Sequence, residues 1–362
     1  MTTTDVAESS NGNVPGRGPA AFKGDPGALI ARTFSASIVA VTLVFLLNNH
    51  LTFWIGWPGL PVFFSYLGWF GYAPLQAPLQ TGALVKAWVQ FLSYPAAVLM
   101  PVALVMRTKH RSLRADADVF TAFAAYIIRM AFWAVFIVGL ADVLISFLRV
   151  EGFLTSWVGE ELDMQLGRPN FRGTYVHWPL ILLSAVIAFF ARGLSFIWLT
   201  LLVVVAEFQI VISRFVFSYE QAFMGDLVRF WYAALFLFAS AHALIDDGHV
   251  RVDVFYTHFS LRGKAWTNAL GSTLLGIPLC WVILTQGMWT RGSSLNSPLL
   301  SFEISQSGFG MYTKYMMAGF LVVFALSMAI QFAGYFLDAV ADLRGDPGHK
   351  EAHGDLGIVP HR

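Results

Sequence analysis

The sequence predicts an all-α, polytopic integral membrane protein, and three observations carry that prediction. Hydrophobic residues make up 57% of the 362-residue chain and charged residues only 12%, about half the charged fraction of an ordinary soluble domain. That much apolar surface has no stable arrangement in water, so the solvent is lipid. Eight stretches are apolar over the ~20 residues a helix needs to cross a bilayer. They lie near 29–48, 84–106, 119–148, 175–192, 195–217, 228–246, 265–290 and 314–340. The net charge of +1 offers nothing to nucleic acid. The single cysteine, Cys280, sits in an apolar run and excludes disulfides within the chain and thiolate metal clusters.

Residues 1–28 are polar and rich in Gly, Pro, Ser and Asn, and Asp5 and Glu8 stand where a signal peptide carries positive charge. They are expected to form a disordered cytoplasmic tail. The first span follows at 29–48. Residues 48–82 then contain no Asp, Glu, Lys or Arg, and interleave Trp54, Trp57, Phe63, Phe64, Tyr66 and Trp69 with Pro58, Pro61, Pro74 and Pro78. Aromatic rings favour the headgroup level and prolines interrupt a regular span. The segment therefore reads as an interfacial loop on the periplasmic leaflet in preference to a re-entrant pore loop.

The second and third spans are separated by Arg107, Lys109, Arg111 and Arg114. Arg192-Gly193 divides the fourth from the fifth, because the uninterrupted run 173–206 is too long for one crossing; a tight helical hairpin is expected there. Arg251, Arg262 and Lys264 precede the seventh span, and residues 346–362 form a second polar tail. Gly24-Asp25-Pro26-Gly27 and Gly345-Asp346-Pro347-Gly348 repeat one tetrapeptide outside the first and last spans, a turn signal at both exits. With both termini cytoplasmic, the denser basic clusters fall inside, and a thinner set, Arg149, Arg168, Arg172 and Arg291, falls outside.

Ionisable groups within spans are costly and are functional suspects by default. Three stand out: Arg129 and Asp142 in the third span and Glu207 in the fifth. Arg129 and Asp142 are ~20 Å apart along one helix and cannot pair. Asp142, near the periplasmic end, is expected to reach water. Arg129 and Glu207 lie at comparable depths, so a structural ion pair between two helices is the favoured reading, with a proton or sodium site at Glu207 as the alternative. His177 and His242 lie toward helix ends and read as satisfied interfacial histidines rather than haem ligands. No nucleophile set, HExxH or phosphate-binding loop appears in a plausible context, so no catalysis, cofactor or metal is expected in this chain. Gly271 and Gly276 in the seventh span permit close helix approach, either within the chain or to a partner.

The most specific stretch runs from Ala241 to Phe255 and contains Asp246-Asp247-Gly248-His249-Val250-Arg251-Val252-Asp253. It closely resembles the signature that follows the second helix in small membrane subunits (DctQ type) of TRAP, or tripartite ATP-independent periplasmic, transporters, matching at His249, Arg251 and Asp253. Ser213-Arg214-Phe215-Val216-Phe217 is similar to the family's Arg-Tyr-[Val/Leu]-Phe, with Phe215 in place of Tyr, and Asp226-Leu227 is the nearest fit to its following acidic position. Ser301-Phe302-Glu303-Ile304-Ser305 looks like the family's Glu-x-Ser loop. In style the chain is most similar to the branch labelled mannitol/chloroaromatic compound transport. The resemblance covers 195–345, a four-helix unit; 29–192 adds four spans to which it assigns no role.

The resemblance implies a non-catalytic subunit of the bacterial inner membrane, anchored among membrane lipids and scaffolding a large membrane subunit. That partner would carry the substrate and sodium sites, and a periplasmic binding protein would deliver a small organic, anionic solute. Arg214, Asp226, His249, Arg251, Asp253 and Glu303 are the signature or subunit-interface candidates. The competing classes are a stand-alone secondary transporter using Glu207 and Arg129, which needs a polar mid-membrane site, and the membrane anchor of a redox enzyme.

Overall fold

The structure is a computed structural model, and it describes residues 25–191, 197–245, 256, 258–305 and 310–348. The polar tails, Arg192-Gly193, and His249, Arg251 and Asp253 of the signature lie outside the described residues, as does the side chain of His242. Eight helices are long and apolar enough to cross a membrane, one for each apolar segment of the sequence, and the described residues contain no strand.

Helix α1 (Pro26–Phe53) starts where Asp25 accepts the Gly27 N–H with its side chain, ahead of a proline at the first helical position. Both are standard N-terminal devices: the carboxylate satisfies an orphan donor, and proline lacks the N–H that would be orphaned. The helix continues to Phe53, five residues past the predicted end. The segment expected as a loop instead contains α2 (Gly59–Leu67), which closes on Gly68 in the left-handed conformation, φ 66°. It is held by α3 (Thr81–Arg107) through two contacts. Phe63 is fully buried between Trp88 and Phe91. Gln90 accepts the Gly59 N–H at 2.9 Å and donates to Thr52 Oγ1 at 2.9 Å. Alternating aromatics and prolines disguise this element in the sequence: Phe64 and Trp69 also touch Phe91, but of these rings only Phe63 is fully buried.

Helix α4 (Leu113–Val150) is capped by Ser112, whose Oγ accepts the Ala115 N–H at 3.2 Å. Its 38 residues extend ~57 Å, well beyond the hydrocarbon thickness. Two short helices, α5 (Phe153–Val158) and α6 (Glu160–Leu166), lead to α7 (Pro169–Phe190), whose second turn is widened to π geometry over Gly173–His177. Helices α8 (Ile197–Phe217), α9 (Ala222–Ile245) and α10 (Leu261–Met288, π-widened at Gly271–Gly276) follow. A short α11 (Asn296–Ser301) precedes α12 (Lys314–Arg344).

Helices α4 and α12 are the axis on which the others assemble. Val135 and Val138 of α4 share one core with Phe230, Trp231 and Phe238 of α9 and Phe320 of α12. Phe45 of α1, Leu284 of α10 and Ala329 of α12 form a second. Two glycines allow close approach between spans. At Gly139 a Cβ would stand 2.6 Å from the Trp231 indole nitrogen, and at Gly276 about 2.7 Å from the Phe332 ring. Gly276 thus packs against this chain's own last span, while Gly271 has open space.

One end of the bundle is tied by charge. Arg32, almost fully buried, donates to Asp116 at 2.6 Å and to the Thr108 carbonyl at 2.7 Å. Arg114 reaches Asp342 at 2.7 Å and the carbonyls of Asp346 and Pro347. Arg344 pairs with Asp25. Arg344 also lies 3.6 Å from Asp346, so it links Asp25 at the start of α1 to the residues just past α12, and the first and last spans leave the bundle side by side.

Candidate functional site

The opposite end of the bundle holds a buried ionic cluster. Helix α4 presents Asp142 and, one turn later, Ser146. Helix α7 supplies Arg172 and His177 across its widened turn, and the segment entering α12 brings Tyr312 and Tyr315. Asp142, Arg172 and His177 are all fully buried. Asp142 Oδ1 accepts from Arg172 Nη1 at 3.0 Å and from His177 Nε2 at 3.0 Å, and Oδ2 accepts the Tyr312 N–H at 2.6 Å. Nε2 faces a carboxylate and so donates; in the neutral imidazole Nδ1 then accepts the Tyr315 hydroxyl at 2.9 Å.

Arg172 is equally committed. Its Nε donates to the Leu166 carbonyl at 2.9 Å, Nη1 also reaches Ser146 Oγ at 3.2 Å, and the guanidinium lies 4.0 Å over the Tyr312 ring. Among the described residues its Nη2 has no hydrogen-bond partner, and the ring face takes the place of one. One carboxylate and one guanidinium thus neutralise each other where neither reaches water. This corrects the expectation for Asp142: the chain covers it, because α7 re-enters beside α4 and the α12 entry segment closes over both. In the sequence Arg172 stands out only as a basic residue outside the spans. The available signal was a cation and a histidine five residues apart at the start of an apolar run. His177 is satisfied, as expected, but in the interior.

Chemically, the cluster is a closed chain running from Tyr315 through His177 and Asp142 to Arg172. Tyr315 is itself 4% exposed, so the chain opens to solvent at neither end. The arrangement fixes α4, α7 and α12 in register; it offers no vacant ligand position.

A second cluster lies at the same end. Asp226, near the start of α9, accepts from Ser305 Oγ at 2.9 Å, from the Met311 N–H at 3.0 Å and from Arg229 Nη1 at 3.3 Å. Lys314 pairs with Glu303 at 2.6 Å. Around them is an open cavity of about 480 Å³, lined by Asp226, Arg229, Ser305, Thr313 and Lys314. Two patches singled out in the sequence, Asp226-Leu227 and the loop from Ser301 to Ser305, are thereby brought together. Arg214 is apart from them at the end of α8, 3.5 Å from Glu220 with both side chains exposed.

The expected Arg129–Glu207 pair is not formed. Arg129 is half-buried on α4, whereas Glu207 projects from the exposed side of α8. Helix α8 turns Ala206 toward the core, and a helix places the next residue ~100° around. The two side chains therefore do not share an azimuth, and a pair between them needs one.

These observations define the class: a multi-pass helical membrane protein in which buried charges join helices to one another. Residues 199–342 match the family model for tripartite ATP-independent periplasmic transporters, DctQ component. The matched region begins in α8 and ends within α12, and it carries the domain of a TRAP transporter small permease component. It is less than half of the chain, leaves α1–α7 unassigned, and does not distinguish the mannitol/chloroaromatic branch. No curated protein and no solved structure matches the chain.

Proposed function

We propose that the chain is the small membrane subunit of a tripartite secondary transporter, a fixed scaffold for a larger subunit that moves the solute. The supporting observation is the DctQ match over 199–342, joined to a core in which α4 of the unmatched region packs against α9 and α12 of the matched one. Buried charges on a scaffold should be neutralised internally so that helices do not shift, and Asp142–Arg172 and Arg32–Asp116 have that form. On this reading the chain is non-catalytic. Sodium coupling and the solute site belong to the larger subunit, and a periplasmic binding protein delivers a small organic anion. The membrane is the bacterial inner membrane, with the Arg107–Arg114 cluster, Arg262, Lys264 and both termini on the cytoplasmic side, following the positive-inside rule.

The test is affinity purification of the tagged chain in mild detergent, followed by reconstitution. The expected result is recovery of a larger polytopic subunit in fixed stoichiometry, with uptake into liposomes only when that subunit and a binding protein are both present. A chain that purifies alone and transports a solute by itself refutes the proposal.

A further inference from the structure

Helix α8 is the least covered of the eight spans. It packs along α9 and touches the central core through Leu199 and Ala206, and most of its remaining surface is exposed. That surface is apolar except for Gln209, on a different face, and one line of polar residues. Thr200, Glu207 and Arg214 recur every seven residues, so they lie nearly above one another, and all three are exposed. Val204 and Val211 fill the turns between them and are also exposed.

Glu207 stands ten residues from each end of α8, ~15 Å from either at 1.5 Å per residue, which is the depth of the bilayer midplane. It makes no hydrogen bond or ion pair with any described residue. Lipid tails offer no donor, so a carboxylate at that depth is strongly disfavoured unless another chain supplies one. A second copy of this protein is a poor occupant. Two copies inserted in the same direction bring Glu207 against Glu207 at one depth, and like charges there repel.

We infer that the Thr200–Glu207–Arg214 face of α8 is the docking seam for a spanning helix of a different membrane subunit, and that this helix carries a Lys or Arg at mid-membrane that pairs with Glu207. The inference rests on the small-subunit reading above and deepens it, since it names the surface and the chemistry of the contact. Val204 and Val211 provide the knobs beside the charge, and a seven-residue repeat is the spacing at which a facing helix stays in register. The charged pair then sets which helix docks and at what height, a role in which a single buried polar contact is well suited to fix register.

The test uses the full chain in its native membrane. A photo-crosslinking residue is placed at Val211, on the seam, and separately at Leu279, which is exposed on α10 away from it; size-exclusion chromatography checks that each variant is intact. The expected result is that Val211 crosslinks to a spanning helix of the larger subunit beside a mid-depth Lys or Arg, and Leu279 does not. Glu207→Lys should lower recovery of that subunit at least tenfold, and exchanging the partner's basic residue for Glu should restore it. If the larger subunit co-purifies but Val211 yields only lipid adducts or a second copy of this chain, or Glu207→Lys leaves recovery unchanged, the seam is wrong and the small-subunit reading survives. If the unmodified chain recovers no larger subunit, that reading fails and takes the seam with it.

Discussion

Replacing Asp142 by Ala tests whether the buried cluster is a structural lock. The substitution removes the acceptor of three hydrogen bonds, from Arg172, His177 and the Tyr312 backbone. Interhelical hydrogen bonds in lipid average only ~0.6 kcal/mol, because an unfolded chain in the membrane finds other partners. Three of them account for ~2 kcal/mol. The larger effect is charge: Arg172 is fully buried, and stranding one member of a buried pair costs about 3–5 kcal/mol. Asp142→Ala and Arg172→Met should each destabilise by about that amount. The double variant strands neither charge, so it should cost well below the sum, with a coupling of about 2–3 kcal/mol. The assay is reversible unfolding in mixed micelles as the fraction of denaturing detergent rises, followed by helical circular dichroism. Additive costs, or an Asp142→Ala cost under about 1 kcal/mol, would refute the claim that the charges hold α4 to α7.

The remaining predictions concern packing and one exposed contact. Gly139→Ala drives a methyl into the Trp231 indole, 2.6 Å away, and displaces its hydrogen bond to the Val135 carbonyl; it should destabilise by about 1–3 kcal/mol, and less in a Trp231→Leu background. Gly276→Ala meets Phe332 at 2.7 Å and should cost about the same, read in the same micelle titration, whereas Gly271→Ala should be neutral or slightly stabilising. Phe63→Ala empties the pocket between Trp88 and Phe91 and should release α2 at a cost of about 3–5 kcal/mol, seen as new protease cleavage within residues 54–80 while α4 and α12 stay protected. Burial, and then its hydrogen bond to Glu151, pushes the Tyr219 hydroxyl up to about 12. The stability this contact contributes is therefore complete below the free tyrosine value of 10 and is lost as pH rises toward 12. The difference in unfolding midpoint between the native chain and Tyr219→Phe should shrink over that window.

The eight spans were legible because each is a local property: a run of apolar residues long enough for the bilayer is counted along the chain without knowing its neighbours. The turn signals at Gly24–Gly27 and Gly345–Gly348 were legible for the same reason, although α1 begins within the first of them, at Pro26. Asp226 and the loop from Ser301 to Ser305 were singled out separately by resemblance, but their union required α9 and α12 to lie side by side. Tertiary structure alone decided the azimuth of each polar residue. It turned Asp142 inward to Arg172 and His177, and it turned Glu207 outward, away from Arg129. Depth in the membrane follows from position within a span, whereas the face a residue occupies follows from which helices pack on which, and that is set by distant contacts such as Gly139 against Trp231 and Gly276 against Phe332.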